Sequence, residues 1–413
     1  MFQPCLAIGP KFKLANKMER MREHLKDITD QHNDFNVLAG TNASELNVPD
    51  ERETISSIDV QIFRRNEERD RILAYLSQIS IAEDCSVLAI YGIGGLGKTT
   101  LAQMVYNSSQ YRDYSRVWVY VSQTFDLMKI GNSIISQLSK QQLAPYTTME
   151  MVNKTLLELL AGKNVLIVLD DLWEVKDGWN KLMAMLRGKG GKVIAMVTTR
   201  SEDTAVEVST NKQPHKLAQL ETEGCWSIIK HKSDFESKSN KEELKDIGMS
   251  IARKCGGVAL AAQSLGFVLK KMNIRQWRSI MDSDIWSLSN SEDPKFTNVL
   301  ASLMLSYSVM PKDLKLCLAY CAIFPKGQQI FKGDLIQQWI SLAFIKPITV
   351  RSSPKKVETI VRSSWDIGEG YISQLFGLSF LQDSKSSLVS CPYIIPAYVS
   401  SSSTYSYNTR MAP

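Results

Sequence analysis

Between residues 85 and 200 the chain alternates short, continuously apolar runs with stretches of helical period. The runs are SVLAIY (86–91), VWVYV (117–121), VLIVL (165–169) and KVIAMV (192–197). Helical patterns separate them. One opens at Lys98, one holds Ile134, Ile135 and Leu138, and one lies around Trp179–Leu186. Another spans about 148–161, where Met149, Val152, Leu156 and Leu159 recur three and four apart. A strand that is apolar at every position is covered on both faces, so the pattern predicts a doubly wound α/β domain with a parallel sheet. A charged helix near 65–78, with Ile72, Leu73 and Leu76 on one face, leads into it.

After about residue 220 the strand runs stop. Residues 221–290 read as helical, with CGGVALAAQSLGFVLKKM as an apolar helix behind a glycine pair, and 295–382 as further helices broken at Pro311 and Pro325. Upstream, Leu14, Met18, Met21, Leu25, Ile28, His32 and Phe35 form a heptad seam over residues 11–35. Three heptads are marginal alone in water, so that helix needs a partner, in its own domain or in a helical bundle. Residues 39–57 are polar and aperiodic, which reads as a linker, and the Ser/Tyr-rich stretch from Asp383 reads as a disordered tail. The organisation expected is therefore a helical segment (1–38), a linker (39–57), the sheet domain (58–212), two small helical domains (213–292 and 293–382) and a tail (383–413).

Composition adds little to this. A chain of 413 residues is expected to hold two to three domains, and 44% hydrophobic with 22% charged residues is ordinary for a globular protein. A net charge of +6 does not ask for a nucleic-acid partner. The first residues lack the pattern of a secretory leader, and no apolar run reaches a membrane-spanning length. Seven scattered cysteines without CxxC pairs fit a reducing, cytoplasmic compartment. Cys317 and Cys321 share a helix face without a nearby histidine, which reads as core packing rather than a metal site, and the four histidines stand in no metal spacing.

The chemistry concentrates in Gly92-Ile93-Gly94-Gly95-Leu96-Gly97-Lys98-Thr99-Thr100, which satisfies G-x(4)-G-K-[ST] directly after a strand and at the start of a helix. Gly92, Gly94, Gly95 and Gly97 let the backbone curl with its N–H groups turned toward phosphate oxygens, and the helix N-terminus adds a favourable dipole. Lys98 is placed to reach the β- and γ-phosphates, Thr99 to offer its hydroxyl to Mg²⁺, and Thr100 to bond the α-phosphate. The apolar run VLIVL (165–169) ends in Asp170-Asp171. In P-loop NTPases such a carboxylate holds Mg²⁺ through water, the role expected of Asp170, while Asp171 is the candidate to orient or deprotonate an attacking water. A third strand ends in Thr-Thr-Arg200, which sets a guanidinium at the carboxyl edge of the sheet, either to sense a γ-phosphate or to make an ordinary ion pair.

These elements, in this order, resemble the NB-ARC module of plant nucleotide-binding, leucine-rich-repeat immune receptors. VWVYVSQTFD, VLIVLDDLW, VIAMVTTRS, CGGVALA and LKLCLAYCAIFPKG look like its successive motifs, and DLIQQWISLAFI resembles its winged-helix segment. The opening helix is similar to the last helix of the coiled-coil domain that precedes NB-ARC in one receptor class. The resemblance implies a P-loop domain (58–212), a helical domain (213–292) and a winged-helix-like domain (293–382) that act as an ADP/ATP switch with slow or no hydrolysis. It also implies self-association, or contact with other immune receptors, through the N-terminal helix. Carried over by position, Gly92, Gly94, Gly95, Gly97, Lys98, Thr99 and Thr100 match the phosphate loop, Asp170 and Asp171 the Mg²⁺ strand, and Arg200 the γ-phosphate sensor.

Three departures stand out. Phe63-Arg64-Arg65 replaces an apolar-Gly-Arg turn that touches adenine, and Gly257-Val258-Ala259-Leu260 replaces a Gly-Leu-Pro-Leu run. One lost apolar contact costs about 1 kcal/mol, less than the several charge-assisted hydrogen bonds of the loop. A Met-His-Asp triplet, whose histidine meets the ADP phosphate in the family, does not follow residues 370–382, and the leucine-rich repeats are absent from the sequence, as in a truncated receptor or a partial gene model. Two further readings stay open: a nucleotide-incompetent interaction fragment and an active P-loop ATPase. DNA binding through 295–382 is set aside because that segment is not conspicuously basic.

Overall fold

The computed structural model describes residues 65–390, with breaks at 122–124, 140–144, 176–177, 188–189, 287–293, 325–327, 352–358 and 386–387. The heptad seam, the linker, Phe63, Arg64 and residues 391–413 lie outside the described residues.

Helix α1 (Asn66–Ala82) leads into β1 (Cys85–Tyr91), and α2 (Lys98–Tyr106) follows. Then come β2 (Ser115–Tyr120), α3 (Leu127–Ser139), α4 (Met149–Leu160), β3 (Val165–Leu172), α5 (Gly178–Leu186), β4 (Val193–Thr199), α6 (Glu202–Val208) and β5 (His215–Lys216). The five strands form one parallel sheet in the order β2-β3-β4-β1-β5. Strands β1 and β4 are buried at every position, the signature of a sheet covered on both faces. One face packs Leu88, Ile90, Leu166, Val168, Ile194 and Met196 against α1 and α2. The other packs Val87, Ala89, Ile167, Leu169, Ala195 and Val197 against the helices around Ile134, Leu156 and Leu182.

The sheet runs past the expected domain end at residue 212. β5 has only two residues, and neither is apolar, so periodicity carries no signal for it. It pairs with Ile90 and Tyr91 alone. Two earlier N–H groups of β1 are met instead by side chains, Val87 by Thr210 Oγ1 at 2.9 Å and Ala89 by Ser209 Oγ at 3.1 Å. Hydroxyls thus stand in for ladder partners along that edge.

Helices α7 (Thr222–Lys232), α8 (Lys241–Lys254), α9 (Ala259–Leu269) and α10 (Ile274–Met281) follow. Their apolar faces, with Trp226, Ile251, Leu265 and Trp277, extend the core that begins on the sheet. A reciprocal pair of Asn273 and Gln276 caps α10. The chain continues through α11 (Pro294–Ser308), α12 (Lys312–Cys321), β6 (Gln329–Phe331), α13 (Lys332–Ser341), β7 (Ile348–Arg351), β8 (Thr359–Arg362), α14 (Ser364–Gly377), β9 (Gln382–Lys385) and β10 (Leu388–Ser390). Cys317 and Cys321 are fully buried on α12, and burial pushes the Cys317 thiol up to about 12.

Two expectations are corrected in this region. Strands do return after residue 220, as the three-stranded sheet β6-β10-β9 and the hairpin β7-β8. The tail does not begin at Asp383, because β9 and β10 continue to Ser390 and close that sheet. The physical reason is common to both. These strands are only three or four residues long, too short for an apolar period to show, β9 is polar throughout, and Val389 of β10 is buried by its neighbours in space rather than by any local pattern.

Helix α9 connects the two halves. The Ser264 hydroxyl lies 2.6 Å from Ser306 Oγ on α11 and donates to the Leu378 carbonyl just beyond α14 at 3.0 Å. Gly377 lets the Phe267 ring in, since a Cβ there would sit 2.2 Å from it.

Candidate functional site

β1 delivers the phosphate loop. Its register against β4 runs without irregularity to Tyr91, and the backbone then turns through Gly92 (φ 152°), Gly95 (φ 81°) and Gly97 (φ 97°) into the first turn of α2. These values fall in the region that favours glycine. Gly95 is also sterically required: a Cβ there would meet Leu260 Cβ at 2.9 Å and Val258 Cγ1 at 3.1 Å. The Leu260 N–H donates to the Gly95 carbonyl at 3.0 Å, so the start of α9 sits directly on the loop.

Lys98 is the first residue of α2 and is 8% exposed. Its ammonium donates to the carbonyls of Gly92 (2.9 Å) and Ile93 (3.0 Å), spanning the loop. Burial first, and then the Arg200 charge, lower its pKa to about 8 against the opposing pull of Asp171 and Asp170. Thr99 follows and donates to Asp170 Oδ1 at 2.9 Å. Thr100, half-buried, completes that turn.

Asp170 ends the regular part of β3 and is 3% exposed. The same oxygen accepts a second hydroxyl, from Thr198 of β4, at 2.5 Å. Asp171 is left-handed (φ 60°), at a point where the register of β3 on β4 shifts between Leu169 and Leu172. Its N–H donates to Thr198 Oγ1 at 2.9 Å, so one threonine fixes both aspartates. The Asp171 carboxylate faces Arg200, with Oδ1 3.6 Å from Nε, and Oδ2 accepts from the Trp173 indole at 3.3 Å. The Arg200 guanidinium lies over the Trp173 ring, 5.0 Å from its centroid, and 3.4 Å from the point where a Gly94 Cβ would stand.

The structure thus brings the loop from Gly92 to Thr100 together with Asp170, Asp171 and Arg200 from two neighbouring strands. Arg65, at the edge of the described residues, is buried, pairs with Glu68 and donates to the Leu96 carbonyl of the loop at 3.3 Å. Val258 is the N-cap of α9 and Ala259 its first residue, so the departing run lies against the loop as well. Sequence reasoning missed Thr198 and Trp173. Both lay inside motifs already noticed, in VIAMVTTR and VLDDLW, but no local pattern says which partner such side chains meet.

The residues fit a nucleotide phosphate: a curled loop closed by a buried lysine, with a hydroxyl–carboxylate pair beside it. Among the described residues no group of three or more His, Cys, Asp or Glu could hold a metal on its own. Thr99 and Asp170, 2.9 Å apart beside the loop, are the pair that could hold Mg²⁺ together with phosphate oxygens and water. No helix of the described residues is long and apolar enough to cross a membrane.

The NB-ARC domain family matches residues 65–239, and the disease resistance protein winged-helix domain matches residues 323–394. The disease resistance protein RGA2 of Solanum bulbocastanum is 33% identical over 379 residues, 90% of this chain and 37% of its own length. The disease resistance RPP13-like protein 4 of Arabidopsis thaliana is 29% identical over 358 residues, 84% of this chain and 41% of its own. The chain therefore spans well under half the length of these curated relatives. A solved chain of Drosophila ORC bound to DNA aligns over 86% of this chain with 12% identity and a TM-score of 0.42, too distant a likeness to carry an argument. With its phosphate loop, its two aspartates and its closing β6-β10-β9 sheet in the matched order, the chain belongs to the NB-ARC and winged-helix family of plant disease resistance proteins.

Proposed function

We propose that this chain is a nucleotide-dependent switch acting in plant defence, which holds ADP or ATP with Mg²⁺ and hydrolyses ATP slowly if at all. The observation that carries the reading is the convergence of Lys98, the Thr99–Asp170 pair and Arg200 around one glycine-rich loop. In this reading Gly92, Gly94, Gly95 and Gly97 turn backbone N–H groups toward phosphate oxygens, and Lys98 exchanges the carbonyls of Gly92 and Ile93 for the β- and γ-phosphates. Thr100 bonds the α-phosphate, and Thr99 and Asp170 hold Mg²⁺, which supplies charge neutralisation between the phosphates. Asp171 orients or deprotonates an attacking water, and Arg200 senses the γ-phosphate.

The switch reading needs the ligand to bias an arrangement of domains, and a ligand does so only by its differential affinity for the two states. The direct contact of Gly95 with Leu260 supports this, because any movement of the loop backbone is felt at the start of α9. We place the protein in the cytoplasm, on the dispersed, buried thiols of Cys85, Cys225, Cys255 and Cys317, which form no disulfide with one another. Self-association through the heptad seam belongs to the same proposal.

The test is to purify the chain gently, denature it and identify the released nucleotide by chromatography, beside Lys98→Ala. ADP near one per chain that is lost in the variant is the expected result. A chain that is empty and takes up neither ADP nor ATP with Mg²⁺ overturns the reading in favour of an incompetent fragment. Fast steady-state phosphate release overturns it in favour of an active ATPase.

A further inference from the structure

Asp171 and Arg200 form an arrangement that the nucleotide reading uses without explaining. In a regular strand, neighbouring residues point to opposite faces. Asp170 and Asp171 would then diverge, one toward Thr99 and the other away from the loop. The left-handed backbone at Asp171 and the register shift of β3 prevent this, and the Thr198 hydroxyl holds the turned N–H at 2.9 Å. A non-glycine residue kept in this conformation is strained, and strain of this kind persists where the surroundings over-determine it. What it achieves is visible: the Asp171 carboxylate reaches Arg200 on one oxygen and the Trp173 indole on the other. The indole in turn presents its face to the same guanidinium at 5.0 Å.

We propose that Trp173 is a positioning residue: with Asp171 it holds the Arg200 guanidinium over the phosphate loop, and so sets how much affinity a nucleoside triphosphate draws from its third phosphate. This rests on the nucleotide reading above and adds what holds Arg200 in place there. Arginine is long, and ordering it costs rotamer entropy. Arg200 also stands close enough to Lys98 to lower the lysine's pKa, so the two cations repel each other. Its side chain remains 42% exposed, so without a carboxylate and an aromatic face to hold it the guanidinium would turn out to solvent. Held in place, it offers its planar donor fork to an oxygen beyond the reach of the loop. A diphosphate, grasped by the loop N–H groups and Lys98, has no need of it.

The experiment measures the affinities of ADP and of ATPγS with Mg²⁺ for the full chain, for Trp173→Ala, Trp173→Phe and Arg200→Ala, and for the Trp173→Ala/Arg200→Ala double variant. Trp173→Ala is expected to weaken ATPγS about tenfold, which is about 1.4 kcal/mol, and ADP less than about twofold. Trp173→Phe, which keeps an aromatic face, restores most of the triphosphate affinity. The double variant binds ATPγS no more weakly than Arg200→Ala alone, because Trp173 acts through Arg200. Equal losses for both nucleotides, additive losses in the double variant, or no loss at all overturn the proposal. If Trp173→Ala fails to fold, the same comparison is made with Trp173→Phe and Trp173→Leu, where the aromatic variant must retain the triphosphate affinity and the aliphatic one lose it while ADP affinity holds. A wild-type chain that binds ADP with Lys98 dependence but shows no change of ratio in these variants removes the clamp and leaves the switch standing. A chain that binds neither nucleotide removes both.

Discussion

Helix α9 meets its two neighbours in contrasting ways. At its start the contact with the phosphate loop is made by backbone: the Leu260 N–H on the Gly95 carbonyl, with Val258 and Leu260 filling the space that a side chain at residue 95 would need. In its middle the contact with the winged-helix half is made by side chains: the Ser264 hydroxyl between Ser306 and the Leu378 carbonyl, and the Phe267 ring over Gly377. The first contact keeps its hydrogen bond whatever side chain stands at residue 260, since a peptide N–H makes it, but the Leu260 and Val258 side chains leave no room for added bulk at residue 95. The second can be weakened by removing one oxygen. A backbone contact couples the loop stiffly to α9. A buried hydroxyl pair adds a polar contact on the other side, inside a core that Leu305 of α11 shares with α9.

The largest effect should come from Gly95→Ala. Its Cβ would enter at 2.9 Å from Leu260 Cβ on a backbone at φ 81°. Overpacking together with left-handed strain should cost about 3 kcal/mol by denaturant titration, and nucleotide affinity should fall with it. Retained stability and affinity would show that the loop and α9 are not rigidly joined.

Ser264→Ala should act on the other contact alone. It leaves the Leu378 carbonyl and the Ser306 hydroxyl without that partner in a buried setting, and the expected cost is about 1–2 kcal/mol. Nucleotide affinity measured with a fluorescent ADP should stay close to that of the wild type. A large loss of ADP affinity would mean that both ends of α9 are stiff and the contrast between them is wrong.

The smallest effect concerns charge at the loop. The pKa of Lys98 is lowered from 10.5 to about 8, chiefly by burial. Between those values the unfolded chain keeps a proton that the folded chain has released, so this group's contribution to stability rises with pH across that window. Nucleotide binding needs the charged form and should move the other way, weakening as pH climbs through about 8. Calorimetric affinities on both sides of that pH should show the decline, and Lys98→Arg should abolish it, because a guanidinium stays protonated. A flat profile in the wild type would place the buried ammonium elsewhere.

Much of the site was legible before any tertiary contact was known. The phosphate loop follows from its own letters, because glycine spacing, a lysine and a threonine between a strand and a helix are local facts. Asp170 and Arg200 were legible for a similar reason: each ends an apolar strand, and in a parallel sheet those ends lie on one edge. The resemblance to NB-ARC carried the reading to the regions that have no periodic signal of their own. The polar strands β5 and β9 were not legible, because their pairing depends on a neighbour supplied from far along the chain.

By itself the sequence determined the parallel sheet, since runs of apolar residues covered on both faces have few other solutions, and it put the glycine-rich loop, Asp170 and Arg200 at one edge of that sheet. Tertiary structure alone decided how that site is aimed. The turn at Asp171 is held by Thr198 of the adjacent strand, the Trp173 ring meets the Arg200 guanidinium, and Ser264 meets Ser306 and the Leu378 carbonyl. Each of these rests on residues dozens of positions apart, and a local pattern of polar and apolar residues holds no record of which distant group a side chain will meet.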